Sequence, residues 1–208
     1  MSARLLLATR NANKLAELQR ILEATPGLGP VTLLGLADVE KYDEAPETGL
    51  TFTENALLKA REAVRHTGLP AAADDSGLAV DALNGMPGVF SARWSGRHGN
   101  DRANLDLVLD QISDVDDAHR GAVFICSAVL VLPAGREFTV DGEMRGRVTR
   151  APRGDGGFGY DPIFVADGEA RTNAELSPGE KDAISHRGKA FRALAEVVAA
   201  NLVATPDV

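Results

Sequence analysis

The sequence predicts a mixed α/β fold, with α/β and α+β orderings both open, built on a mixed central sheet flanked by helices. Three observations carry this expectation. Residues 5–8 are a short apolar run of the kind found in a buried strand, and helical spacing follows at once at Leu15, Leu18, Ile21 and Leu22. Two capping boxes, Thr51-Phe52-Thr53-Glu54 and Ser177-Pro178-Gly179-Glu180, open helices in distant parts of the chain. Residues 122–132 are the longest β-like run, and Pro133-Ala134-Gly135 turns them back toward 137–140 as a hairpin.

The elements follow in order. The first helix stops at Pro26-Gly27, and residues 31–36 suit a second strand. The helix opened by Thr51 runs to about His66-Thr67-Gly68. Residues 71–73 and 78–80 are expected as two short strands around Asp74-Asp75-Ser76-Gly77, and Gly85-Met86-Pro87-Gly88 as a loop. Leu105, Val108, Leu109 and Ile112 mark a further amphipathic helix. Residues 153–159 form a glycine-rich loop and 163–165 a short strand. The helix opened by Ser177, with proline at its first position, continues its apolar face through Leu194, Val197, Val198 and Leu202. At 208 residues the chain fits one domain, with no internal repeat or linker.

Composition excludes several function classes. Lys+Arg 22 against Asp+Glu 30 leaves a net charge of -8. That disfavours a protein living on nucleic acid, which needs a basic face, but not one holding a small phosphorylated ligand with a few local cations. The single cysteine, Cys126, permits no intramolecular disulfide and no cysteine-built zinc site; it reads as a small buried hydrophobe. The apolar start is too short for a signal peptide, and no run approaches the roughly 18 apolar residues of a membrane span. A cytoplasmic protein with no membrane partner is the expectation.

Four polar segments concentrate the chemistry. Thr9-Arg10-Asn11-Ala12-Asn13-Lys14 lies between a buried strand and a helix start. Unpaired amides, the helix dipole and Lys14 suit an anion there; helix capping by Asn11 or Asn13 beside a solvated lysine suits the pattern equally. Asp74-Asp75-Ser76-Gly77 sets two carboxylates side by side, costly unless a metal or a proton relieves them, and is also good turn chemistry. Gly154-Asp155-Gly156-Gly157-Phe158-Gly159 matches G-x-G-x-x-G, yet no strand precedes it and no helix follows, so a dinucleotide fingerprint is excluded. Phe158 and Tyr160 are candidates for a stacking face and Asp161 for a base-edge acceptor; a loop with Phe158 packed inside is the alternative. Lys181 with Ser185-His186-Arg187 brings three potential cations near a helix start, suited to phosphate or a purine carbonyl, or else a solvated helix end.

Read in order, these segments resemble the inosine triphosphate pyrophosphatase family. The resemblance rests on Leu7-Ala8-Thr9-Arg10-Asn11-Ala12-Asn13-Lys14, Glu47-Thr48-Gly49-Leu50-Thr51-Phe52-Thr53-Glu54-Asn55-Ala56 with Lys59-Ala60, and Ala73-Asp74-Asp75-Ser76-Gly77-Leu78. It continues in Gly85-Met86-Pro87-Gly88-Val89-Phe90-Ser91-Ala92-Arg93, Gly157-Phe158-Gly159-Tyr160-Asp161-Pro162-Ile163-Phe164 and Glu180-Lys181 with Ser185-His186-Arg187-Gly188. It implies hydrolysis of deaminated purine nucleoside triphosphates (ITP, dITP, XTP) between the α- and β-phosphates. By this resemblance Thr9, Asn11 and Lys14, with Arg10, Ala12 and Asn13 between them, meet the phosphate tail, and Lys59 and Lys181 add charge. Asp75 is the general base and a Mg²⁺ ligand, with Ser76 beside the substrate. Phe158, Gly159, Tyr160 and Asp161 form the base pocket, and His186 and Arg187 donate to the 6-keto oxygen. An elongated two-lobed fold with the site in its cleft, and a homodimer, are also implied. One departure stands out. Many members carry an acid where Pro46 stands, so Glu47 is the remaining local metal ligand. A pyrophosphatase for modified pyrimidine nucleotides and a non-catalytic nucleotide-binding protein are the competing functions. Trp94 and residues 90–93 suit either a dimer contact or local core.

Overall fold

The computed structural model describes residues 2–43 and 46–202. In chain order the elements are β1 (Ala3–Leu7), α1 (Ala12–Ala24), β2 (Val31–Leu34), α2 (Phe52–Thr67), β3 (Ala71–Val80) and β4 (Met86–Pro87). They continue with α3 (Asp101–Gln111), β5 (Gly121–Val131), β6 (Glu137–Val148), β7 (Phe164–Ala166), α4 (Pro178–Ile184) and α5 (His186–Leu202). The described strands form one sheet in the order β2-β1-β3-β5-β6-β7, with β4 on β3. β1 runs parallel to β2 and β3, whereas β3–β4 and β6–β7 are antiparallel, so the sheet is mixed as expected.

The chain divides into two compact units. One takes in residues up to Asp75, 127–141 and the stretch from Gly188; the other holds 76–126 and 142–187. In the first unit Leu5, Leu6 and Leu7 are all fully buried, which is why β1 reads as an unbroken apolar run: successive side chains point to opposite faces of the sheet, and both faces of this strand are covered. Ala56, Ala60 and Ala63 recur along one stripe of α2 and pack with Leu6, Ala71, Ala73 and Val129. Small side chains there let the helix backbone sit close to the strands. α2 is closed at both ends as the sequence predicts. The Glu54 amide donates to the Thr51 hydroxyl at 3.1 Å, the Thr51 amide donates back to the Glu54 carboxylate at 3.2 Å, and Gly68 caps the end at φ 66°.

The second unit packs Leu105, Val108 and Ile112 of α3 against Phe124, Met144, Ile163 and Phe164. Cys126 is buried and reduced. Arg120 is buried as well, at 2% exposure, and its guanidinium donates to the carbonyls of Val148, Ile112 and Thr149 at 3.0, 2.5 and 2.8 Å.

Two expectations are corrected. Asp74–Gly77 is not a turn between two short strands: β3 continues through it, paired first with β1 and later with β4. The C-terminal helix is two helices. Ser185 is extended (φ -64°, ψ 149°), its amide still bonded to the Lys181 carbonyl at 2.8 Å, and the chain restarts as α5 at His186.

α4 begins at the capping box Ser177/Glu180. The Ser177 hydroxyl and amide donate to the Glu180 carboxylate at 2.7 and 2.9 Å, and Arg171 adds 3.1 Å. The Ser177 bonds, then Arg171, hold this carboxyl down to about 2 from its ordinary 4.5. The folded state therefore favours the ionised form, so the box's full contribution is present above pH 4.5 and is lost as pH falls from there through about 2. In a carboxyl ¹³C titration Glu180 is expected to remain ionised at about pH 3.5, where an unperturbed glutamate is mostly protonated. A midpoint at its ordinary value contradicts the box.

Candidate active site

In the first unit, Thr9 leaves β1 and leads into α1. Its hydroxyl accepts from the Asn11 amide at 3.2 Å, and Asn11 is the N-cap, its side-chain oxygen accepting from the Asn13 and Lys14 amides at 2.9 and 3.4 Å. The capping half of that alternative is therefore realised at Asn11, whereas Lys14 is not a solvated lysine. Thr9, Arg10, Asn11 and Ala12 also line a cavity of about 460 Å³ whose other wall comes from residues 35–42.

Lys14 reaches the carboxylate of Asp74 at 2.7 Å. Asp74 is buried at 2% exposure, and this is its neutralising partner. Asp75 meets a different set. Lys59 Nζ lies 3.5 Å from its Oδ1, Asn55 Nδ2 donates to its Oδ2 at 3.1 Å, and Lys59 also holds Glu47 at 3.1 Å. Successive side chains on a strand project to opposite faces, which is how adjacent aspartates acquire separate partners. Asn55 and Lys59 stand four apart on α2 and so share a face. The Gly49 amide fixes Asn55 in turn, donating to its Oδ1 at 2.8 Å. A Cβ at Gly49 would meet that oxygen at 2.7 Å, so glycine is required for the approach.

The electrostatics match this geometry. Burial pushes the Asp75 carboxyl above its ordinary value, Lys59 opposes, and Glu47 adds to the rise. Burial alone would lower Lys59, but the charges of Asp75, Asp74 and Glu47 outweigh it and raise the ammonium instead. Two carboxylates in reach of one lysine are oxygen donors of the kind a hard divalent cation takes one or two at a time, phosphate oxygens and water completing the shell. Asp75 and Glu47 fit such an ion. Among the described residues there is no group of three or more His, Cys, Asp or Glu that could hold a metal ion.

The second unit carries a different pocket, about 140 Å³, lined among others by Ser76, Phe124, Phe158, Lys181, His186 and Arg187. Phe158 is 47% exposed, with Lys181 Nζ 4.9 Å and Arg187 Cζ 5.5 Å from its ring centroid. Arg187 also donates to the Ser76 hydroxyl at 3.4 Å. His186 lies parallel on Phe124 at 4.8 Å and 11°, and Phe164 braces Phe124 edge-on at 4.7 Å. Gly159 stands between Phe158 and Tyr160 with φ 60°.

Two pocket residues do other work than the sequence suggested. Tyr160 is not a stacking face: it is buried in the core, its hydroxyl donating to the Ser91 carbonyl at 2.8 Å and held above its ordinary pKa by burial and then Asp101. Asp161 lines the pocket, but its carboxylate is committed to holding the loop. Its Oδ2 accepts from the Phe158 amide at 2.8 Å and Lys181 at 2.6 Å, and its Oδ1 from Asn173 at 3.3 Å. A Cβ at Gly157, where φ is 70°, would stand 2.2 Å from this carboxylate. Trp94 packs partly buried on the second unit's core and donates to Gln111 at 2.9 Å, whereas Phe90 is 41% exposed.

Sequence reasoning marks Asp74 as a carboxylate beside Asp75 without finding its partner Lys14, and it gives no role to Asn55, Ser91, Phe124, Asn173 or Asp101. Asn55 was findable, since it stands one helical turn before Lys59. The others act through partners more than ten residues away, and no local pattern marks them.

The model of the Ham1 family matches residues 5–197. A dITP/XTP pyrophosphatase of Mycobacteroides abscessus is 59% identical over 191 residues, covering 92% of each protein. One from Streptomyces coelicolor is 60% identical over 195 residues, covering 94% of this chain and 96% of that protein. The crystal structure of a nucleoside-triphosphatase / dITP/XTP pyrophosphatase from Mycobacterium abscessus superposes with a TM-score of 0.78 at 59% identity, covering 92% of this chain and 98% of the other. The structure of a HAM1 protein from Coxiella burnetii superposes with a TM-score of 0.86 at 42% identity, covering 94% and 98%. Family model, relatives and fold agree over nearly the whole length, and the chain belongs to the Ham1 family.

Proposed function

We propose that this protein hydrolyses deaminated purine nucleoside triphosphates (ITP, dITP and XTP) to the monophosphate and pyrophosphate. The observation that carries this is the placing of Asp75. It is a partly buried carboxylate set between Lys59 and Asn55, and the next residue of β3, Ser76, bonds to Arg187 of the aromatic pocket. Relatives named dITP/XTP pyrophosphatase support the same reaction.

In this reading Asn11, Lys14 and Lys59 meet the triphosphate. Its negative charges repel an incoming nucleophile, and the two lysines lower that repulsion and steady the leaving pyrophosphate. Asp75 orients water toward the α-phosphorus and takes its proton; burial makes the carboxylate a stronger base than an exposed aspartate. Asp75 and Glu47 would hold Mg²⁺, which supplies Lewis-acid stabilisation of the phosphate oxygens. Phe158 stacks on the purine, and Lys181, His186 and Arg187 present donors to the 6-keto oxygen. Adenine offers an amino donor there, leaving a buried donor unpaired at a cost of about 1–3 kcal/mol.

The test is turnover of ITP, XTP, GTP and dTTP with Mg²⁺, separating pyrophosphate from orthophosphate. Pyrophosphate from ITP and XTP well ahead of GTP is expected. Orthophosphate alone, or equal turnover of GTP and ITP, overturns the proposal. Faster dTTP turnover would favour a pyrimidine enzyme, and ITP binding without turnover a binding protein. The proposal extends to a cytoplasmic homodimer using the exposed face around Phe90; sedimentation showing only monomer at micromolar concentration would contradict the dimer. Among the described residues no helix is long and apolar enough to cross a membrane.

A further inference from the structure

The loop that carries Phe158 is pinned at both of its ends. Upstream, the Gly156 amide donates to the Ala174 carbonyl at 3.0 Å, and Cβ atoms at Gly154 and Gly156 would meet the Ala174 backbone at 2.7 and 2.8 Å. Downstream, the buried Tyr160 is tied to Ser91. Between these points lies the tip, Phe158-Gly159, with its aromatic ring half in solvent. The Phe158 amide is held from within the loop by Asp161. The Gly159 amide is held from another element: it donates to Asp101 Oδ2 at 2.9 Å, across 58 residues of sequence. Asp101 is the first residue of α3, and α3 is itself anchored on the core through Leu105 and Val108. It also lines the same pocket as Phe158, Lys181 and Arg187.

We infer that Asp101 is a positioning residue for the base pocket: by holding the Gly159 amide it fixes the Phe158 ring where a purine stacks on it and where Lys181 and Arg187 lie over it. The second half of this inference rests on the purine reading above; the tether itself does not. A tip held only from within its own loop could tilt as a unit. A hydrogen bond from a helix locked into the core removes that freedom before the ligand arrives, so less ordering has to accompany binding. Asp101 acts through Phe158 and touches neither the phosphates nor the attacked phosphorus. Its loss therefore falls on affinity for the base rather than on the chemical step.

The test compares Asp101→Ala with Asp101→Asn. Asparagine keeps an acceptor oxygen at the same reach and loses the charge; alanine loses both. In nucleotide-free protein, Asp101→Ala is expected to speed amide exchange across 157–160 about tenfold, with Asp101→Asn close to wild type. For ITP, KM in Asp101→Ala is expected to rise about 5- to 10-fold, the scale of one lost hydrogen bond, with the change carried by KM and not kcat. Inhibition by inorganic tripolyphosphate, which has no base, is expected to be unmoved, and Asp101→Asn to recover most of the loss. Wild-type exchange in Asp101→Ala overturns the tether. Faster exchange with an unchanged KM overturns its role in the pocket, and an equal defect in both variants assigns the effect to charge instead. If wild-type protein does not turn over ITP the purine reading fails, and the exchange arm still decides the tether.

Discussion

Asp75→Asn is expected to lower kcat for ITP by about 10²- to 10⁴-fold, the range over which a positioned general base contributes, while ITP binding survives. Asparagine has the size of aspartate and can still accept from Asn55, whose Nδ2 stands 3.1 Å from Asp75 Oδ2. What it cannot do is take a proton from water. Lys59 retains Glu47 at 3.1 Å as a partner, so the substitution does not strand a buried ammonium, and the fold should persist. Rapid-quench turnover and equilibrium binding of ITP separate the two effects. Turnover close to wild type would remove Asp75 from the chemistry, and lost binding with unchanged kcat would make it a substrate-holding group only.

Arg120→Met is the largest stability effect expected, about 3–5 kcal/mol, measured as a fall in the urea midpoint with unchanged slope. Methionine fills much of the space, but the carbonyls of Val148, Ile112 and Thr149 all lose the guanidinium; Ile112 keeps the Val115 amide at 3.1 Å and Thr149 is partly exposed, so the cost falls most heavily on the Val148 carbonyl in the buried interior. Burial lowers this guanidinium's pKa, with Arg150 adding and Asp117 opposing; the charge is tolerated because a planar fork satisfies three acceptors at once. Lysine, a point donor on a flexible stem, cannot span them, so Arg120→Lys should also destabilise. An unchanged midpoint in Arg120→Met would show that the carbonyls find other partners.

These two residues mark how far the sequence could be read. Features built from neighbours were legible. The capping boxes at Thr51/Glu54 and Ser177/Glu180 are complete within four residues, and Gly68 ends α2 by its own backbone freedom. The buried β1 showed in its three leucines, and the six segments carried the family. What depended on distant partners did not show. Asp74-Asp75-Ser76-Gly77 has turn chemistry, yet it is mid-strand because Lys14 and Lys59 neutralise the carboxylates from two helices and because β1 and β4 pair with β3 on either side. Asp161 offered a carboxylate to a base, and only the folded loop shows that Phe158, Lys181 and Asn173 have claimed it. Arg120 carried no signal, since its acceptors are main-chain carbonyls that every residue possesses.

In the proposed reaction water, activated at Asp75, attacks the α-phosphorus and expels pyrophosphate. Hydrolysis of ITP in ¹⁸O-labelled water, with both products weighed by mass spectrometry, tests it most directly. The expected result is one labelled oxygen in inosine monophosphate and none in pyrophosphate, with the rate of label entry collapsing in Asp75→Asn. Label in the pyrophosphate would place the attack on the β-phosphorus, and orthophosphate as the first product would place it at the other end of the chain. Either would contradict the mechanism.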